Sequence, residues 1–413
     1  MLISVPRLGF LFFLTYAFGV GYFVSSAPAA SGVVPVILIP GDGGSQLEAK
    51  LSKSQVVHYV CGKNTNDFFN IWLNLELLVP IVIDCWVDNI KLVYNATTRK
   101  TETPPGVVTR VPGFGNSSVV EWLDPSEASP GAYFKDIGNM LVGKGHNRNS
   151  SLRGAPYDFR RAPNEHQEFF IAFKSLVEET YSINGNVPVL LIAHSMGGPL
   201  TLVFLQQQTQ AWKNKYIRAL VTLSGAWGGS VKALKVFAVG DDLGSYVLRQ
   251  SILREMQITS PSLSWLLPSS IFWKTTEVLV QSGTRNYTLN DLKDYFDDIN
   301  YPTGWEMRKD VEQFSLNFSP PGVEVHCLHG YGVDTVDSMI FKPGKFPDGY
   351  PSFVYGDGDG TVNKRSLEGC VHWIGHQKQK VYHQTFPKVD HMQILTDANV
   401  LDYIQQLVTR KLK

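Results

Sequence analysis

Short β-branched apolar runs alternate along this chain with longer stretches in which apolar positions recur every three or four residues. Residues 33–39 read VVPVILI and stop at Pro40-Gly41-Asp42-Gly43-Gly44, the pattern of a strand buried on both faces that ends in a tight loop. A second such run, 187–193, leads through Ser195-Met196-Gly197-Gly198 into a segment where Leu200, Val203, Phe204 and Gln207 share one helical face. A third run, 219–223, ends at Ser224-Gly225, and the runs at 323–328 and 351–355 have the same character. Strands separated by helical segments predict an α/β fold with a mostly parallel central sheet covered on both faces.

Two regions break this rhythm and read as insertions. Residues 56–103 hold Phe68, Phe69, Ile71, Trp72, Leu73, Leu75, Leu77, Leu78 and Trp86, interrupted by Asn74, Glu76 and Pro80. The polar interruptions exclude a membrane span and suit an amphipathic surface element that carries Trp at an interface; a buried helix pair is the alternative. Residues 227–320 are rich in Ser, Trp and Leu with few strand signals and read as a cap or lid. The core is then assembled from 30–55, 104–226 and 321–413. Residues 1–29 combine Arg7, an apolar stretch over 8–24 and a small-residue ending, which predicts a secretory signal; an uncleaved anchor is the competing reading.

Composition narrows the picture. The 413 residues are 44% hydrophobic and 18% charged, enough for a large core. Lys plus Arg and Asp plus Glu number 37 each, so there is no electrostatic footprint for nucleic acid. Sequons at Asn95, Asn116, Asn149, Asn286 and Asn317 fit passage through the secretory route and are candidate glycosylation sites. Four cysteines in an oxidising compartment allow three pairings; Cys61 with Cys85 and Cys327 with Cys370 would close two local loops.

Ala193-His194-Ser195-Met196-Gly197 at a strand-to-helix junction has the context of a nucleophile elbow, with Ala193 in place of the usual first Gly. A serine hydroxyl attacks only when a base takes its proton and a carboxylate orients that base. Both partners follow in the expected order: Asp359 in Tyr355-Gly356-Asp357-Gly358-Asp359-Gly360-Thr361-Val362, with Asp357 as the fallback, and His391 in Val389-Asp390-His391-Met392. His326, His329, His372, His376 and His383 occupy no comparable place and read as structural or exposed. The oxyanion of an attacked ester needs backbone donors, for which the N–H groups of Met196 and Asp42 are the candidates. Asp357, Asp359 and Glu368 fall at positions 1, 3 and 12 of a calcium loop, but Thr361 and Val362 fail at positions 5 and 6, so no metal and no cofactor is expected.

These motifs give the chain a specific resemblance. The segment from Pro40 to Leu51, the aromatic stretch over 71–86, Val111-Pro112-Gly113-Phe114-Gly115, Gly154-Ala155-Pro156-Tyr157-Asp158-Phe159-Arg160, the elbow, and the path from Gly356 to His391 resemble the lecithin:cholesterol acyltransferase family over nearly the whole mature chain. The resemblance implies an α/β-hydrolase fold, a triad of Ser195, Asp359 and His391, an oxyanion site at Asp42 and Met196, and the two local disulfides. It further implies a membrane-binding role for the first insertion. Asp42 stands where the plasma cholesterol-esterifying branch carries Cys, and the extra cysteines are missing, so the chain is similar to the lysosomal branch. Gly198-Pro199 and Thr222-Leu223-Ser224-Gly225-Ala226-Trp227 depart from that branch's pattern beside the acyl groove.

The expected activity is that of a phospholipid acyl hydrolase and O-acyltransferase. It works as a monomer at a phospholipid membrane surface and passes the acyl chain to water or to a lipid alcohol such as ceramide. The expected location is the lysosome or the extracellular space. The alternatives are a sterol acyltransferase, a plain soluble esterase, and a catalytically silent lipid-binding glycoprotein.

Overall fold

The computed structural model describes residues 33–79, 82–243 and 249–409. The signal expected over 1–29 lies outside them. Six strands form the central sheet: β1 (Val36–Ile39), β2 (Leu152–Gly154), β3 (Val189–His194), β4 (Ile217–Leu223), β5 (Val325–Tyr331) and β6 (Val381–Pro387). Their order is β6-β5-β4-β3-β1-β2, and every neighbouring pair is parallel. The apolar runs are continuous rather than alternating because both faces are covered. Ile37 and Ile39 of β1 join the core on one face, and Val36 and Leu38 join the core on the other. On the first face the sheet meets α2 (Gln167–Ile183) and α3 (Gly197–Gln206), through Phe170, Phe173, Leu200 and Phe204. On the second it meets α1 (Lys135–Gly143) and α4 (Ala398–Thr409), through Ile137, Leu141, Val400 and Ile404. Each aliphatic or aromatic side chain sealed in this way contributes about 1.5–3 kcal/mol.

Two expectations need revision, and β6 of the central sheet went unpredicted. The run at 351–355 does not join the central sheet: Ser352–Gly358 pairs antiparallel with Val333–Ile340 in a separate four-stranded sheet, completed by Val280–Gln281 and Asn286–Tyr287. Val354 and Tyr355 are exposed there, so an apolar run alone did not reveal which sheet it joins. β6 gave no apolar run because it is the edge strand, where Gln384 is exposed and the polar His383 and Thr385 are only half-buried. Trp72 and Trp86 of the first insertion are only 7% and 1% exposed and therefore are not interfacial; Trp86 Nε1 donates to the Ile71 carbonyl at 2.9 Å. Among the described residues, the large apolar side chains that this insertion exposes are Val57, Tyr59, Val60, Leu75, Val79 and Val93.

The first insertion contains the strand Phe69–Trp72, which pairs with Leu47–Leu51, and the helix Val82–Ile90, fastened by the Cys61–Cys85 disulfide. Asp158 and Arg160 anchor it from below. Arg160 donates twice to the Asp158 carboxylate, at 2.8 and 2.7 Å, and its third nitrogen reaches the Ile90 carbonyl at 2.7 Å. Burial alone would raise the Asp158 pKa, but the charges of Arg160 and Arg161 and the hydrogen bonds hold it well below the usual range. The second insertion has a core of its own around Leu234, Phe237, Tyr295 and Phe296, to which Met339 and Phe341 also contribute. Among the described residues no helix is long and apolar enough to cross a membrane.

Candidate active site

The carboxyl ends of the parallel strands are where an open α/β sheet presents its chemistry. Ser195 sits in the turn between β3 and α3 with a φ of 53°, the strained left-handed conformation of an elbow that lifts a side chain clear of the backbone. The crowding shows at Gly197, where a Cβ would lie 2.3 Å from the Pro40 carbonyl oxygen. Ala193, which stands in for the usual first Gly, packs in the core without obstructing the turn.

The hydroxyl of Ser195 lies 2.9 Å from Nε2 of His391, and Nδ1 of His391 lies 2.7 Å from Oδ2 of Asp359. Asp359 is fully buried, and its other oxygen accepts N–H bonds from Thr361 and Val362 at 3.1 and 2.8 Å. Burial works against its charge, yet the adjacent His391 and these donors outweigh it and lower the pKa, so the carboxylate stays ionised. The backbone N–H of His391 also donates to the Asp359 carbonyl at 2.8 Å. Asp357 points elsewhere: it accepts from the Gly332 N–H at 2.6 Å and pairs with Lys364 at 3.0 Å.

The loop after β1 approaches the elbow closely. A Cβ on Gly41 would lie 2.6 Å from the Ser195 Cβ. The backbone N–H groups of Asp42 and Met196 have no protein acceptor among the described residues, which leaves both free beside Ser195. The Asp42 carboxyl keeps contact with solvent but is ringed by protein atoms. That crowding pushes its pKa up to about 6, while the Gly43 N–H and the Lys232 charge hold it back.

Three residues at this site escaped the sequence reading. The Gly41 N–H donates to the Tyr133 hydroxyl at 3.0 Å, and that hydroxyl donates to Nδ1 of His194. Nε2 of His194 in turn donates to the His391 carbonyl at 2.9 Å. This donor order requires a neutral His194. Burial, with the neighbouring His391 adding to it, lowers its pKa to about 3. Trp72 is the third, its Nε1 donating to the Gly43 carbonyl at 2.7 Å. His194 was visible as the residue before Ser195, but Tyr133 and Trp72 carry no local signal. The two disulfides are Cys61–Cys85 and Cys327–Cys370. Asn149, Asn286 and Asn317 are exposed; Asn95, at the end of the short strand Val93–Asn95, and Asn116, in a loop, are half-buried.

A parallel sheet covered on both faces, with a serine elbow hydrogen-bonded to a histidine and a buried aspartate, defines an α/β hydrolase. The family model for lecithin:cholesterol acyltransferase matches residues 68–398, and the chain belongs to that family. It is 50% identical over 374 residues to the human protein named lysosomal phospholipase A and acyltransferase, covering 91% of this chain and 90% of that one. The dog protein of the same name is 48% identical over 400 residues, with 97% and 96% coverage. A chicken phosphatidylcholine-sterol acyltransferase is 42% identical over 370 residues, with 89% of each chain covered.

Proposed function

We propose that the chain is a phospholipase A and lipid O-acyltransferase acting through an acyl-Ser195 intermediate. His391 takes the Ser195 proton as Oγ attacks a phospholipid acyl ester, and it then delivers that proton to the departing lysophospholipid oxygen. Asp359 holds His391 in the tautomer that leaves Nε2 free to accept. The N–H groups of Asp42 and Met196 stabilise the oxyanion. Water or a lipid alcohol such as ceramide then gives its proton to His391 and attacks the acyl carbon, and His391 returns that proton to the Ser195 oxygen as it leaves.

The hydrogen-bonded path from Ser195 through His391 to Asp359 carries this reading. A peripheral monomer would dock through exposed apolar side chains of the first insertion such as Val57, Tyr59, Val60, Leu75 and Val79. The names of the more similar relatives support a lysosomal setting, and the segment over 1–29 supports entry by the secretory route. Glycans at the sequons, foremost the exposed Asn149, Asn286 and Asn317, belong to the same reading.

The test is product analysis with phosphatidylcholine vesicles containing either ceramide or a sterol, at acidic and neutral pH. Acylceramide plus lysophospholipid is expected, and a Ser195→Ala variant should give neither. Preferential sterol ester formation would replace the ceramide assignment. Undiminished turnover in Ser195→Ala would overturn the mechanism.

A further inference from the structure

A second cluster of chemically competent side chains lies outside the Ser195 site. His329 is fully buried near the end of β5, and His383 stands on the adjacent edge strand β6, where it pairs in register with Cys327. Residues 327, 329 and 383 therefore share one face of the sheet. On that face the Cys327–Cys370 disulfide pins down the segment that carries Glu368. One ligand atom from each of His329, Glu368 and His383 lies within 4.8 Å of the other two.

The hydrogen bonding prepares these atoms for a ligand. Nδ1 of His329 lies 2.8 Å from the Gly330 carbonyl, which can only accept, so the proton sits on Nδ1 and the Nε2 lone pair faces the cluster. A ring N–H committed to a backbone carbonyl is the usual support of a metal-bound imidazole. Nε2 of His383 lies 2.8 Å from Nε2 of His329, so in the ion-free chain the His383 N–H donates across that gap. Glu368 is half-buried and forms no ion pair with a cation among the described residues; the nearby Lys364 is engaged by Asp357 instead.

We propose that His329, Glu368 and His383 bind one divalent cation of the zinc class. Two imidazoles and a carboxylate, with a fourth position open to water, are a donor set that suits zinc. Metal–nitrogen bonds of about 2.0–2.1 Å in tetrahedral geometry need the two nitrogens roughly 3.3 Å apart. The pair must then open by about half an ångström, which His383 on an edge strand can supply. His383 moves its proton from Nε2 to Nδ1 on binding, so no net proton is released. The ion cross-links β5, β6 and the disulfide-held segment, and its role is to stabilise this edge of the sheet rather than to take part in acyl transfer.

The experiment is equilibrium dialysis of the full chain against Zn²⁺ at neutral pH, with elemental analysis and thermal unfolding of the same samples. Wild type should bind one Zn²⁺ per chain at this site and melt at a higher temperature with zinc than without. His383→Gln and Glu368→Gln should weaken binding by about tenfold or more and abolish the thermal shift. Their ion-free melting temperatures should match that of ion-free wild type, which establishes that both variants fold. His391→Ala should leave the site intact. Zinc that survives His383→Gln but is lost in His391→Ala would place the ion on the triad and overturn the proposal. Absence of bound zinc in wild type would also overturn it.

Discussion

Replacing Asp42 by Asn should change how activity depends on pH more than it changes activity at acidic pH. The Asp42 N–H is the donor proposed for the oxyanion, and covalent reach then puts the carboxyl of the same residue within about 6 Å of the charge that forms there. At that distance two negative charges repel by about 0.7 kcal/mol if water screens them fully and by about 2.8 kcal/mol at an effective dielectric of 20. Asp42 retains solvent contact, which favours the lower part of that range. Ionising Asp42 should therefore slow acylation about three- to tenfold. With its pKa pushed up to about 6, the group is roughly nine-tenths protonated at pH 5 and roughly one-tenth at pH 7. Wild-type kcat/KM on phosphatidylcholine vesicles should accordingly fall as pH rises through 6. The Asn variant, isosteric and uncharged, should lose that step and become the faster enzyme at pH 7. Measuring kcat/KM for both between pH 4 and 8 is the assay, and an unchanged step near pH 6 in the Asn variant would refute the reasoning.

Three further outcomes follow from the geometry. Tyr133→Phe strands the buried Gly41 N–H and the His194 ring nitrogen, so it should cost about 1–3 kcal/mol in urea unfolding and lower kcat more than it raises KM; unaltered stability and kcat would exclude the hydrogen-bond chain. Asp158→Asn leaves Arg160 buried with its charge unpaired and should destabilise by about 3–5 kcal/mol, whereas a loss below 1 kcal/mol would show that the pair anchors nothing. His166 and His194 have their pKa values lowered by burial from 6.5 to about 4 and about 3. Below pH 6.5 the unfolded chain binds protons that the folded chain does not, so stability is fully present above that pH and declines as pH falls toward 4. Two such groups give a slope of up to about 2.7 kcal/mol per pH unit, and urea midpoints that stay constant from pH 6.5 to 5 would contradict it.

Where local pattern and tertiary role coincide, the sequence was readable. The strands β1, β3, β4 and β5 are doubly buried, so their apolar runs are continuous and stand out. Ser195, Asp359 and His391 could be chosen because each follows a strand or precedes a helix in a motif of small or acidic residues. β2 and β6 were missed because the first is three residues long and the second carries polar side chains on an open edge. Trp72 and Trp86 were misplaced since an aromatic run has the same pattern whether it faces lipid or folds back on its own core. Tyr133 and the His329–Glu368–His383 cluster were illegible for a different reason. Their partners lie 61, 92 and 54 residues away, and only the assembled sheet brings them together.

The attachment of His391 bears on which product the enzyme makes. Its N–H is held by the Asp359 carbonyl, its Nδ1 by the Asp359 carboxylate, and its own carbonyl by the His194 ring. Only Nε2 remains uncommitted, and it points at Ser195. The base is thus set in one orientation when the chain folds, and it serves every incoming hydroxyl from that orientation. A water molecule and a long-chain alcohol meet the same proton acceptor at the same angle. The ratio of hydrolysis to transfer is therefore governed by which hydroxyl reaches the acyl carbon first, and altering the acceptor supply at the vesicle surface should move it further than altering the triad.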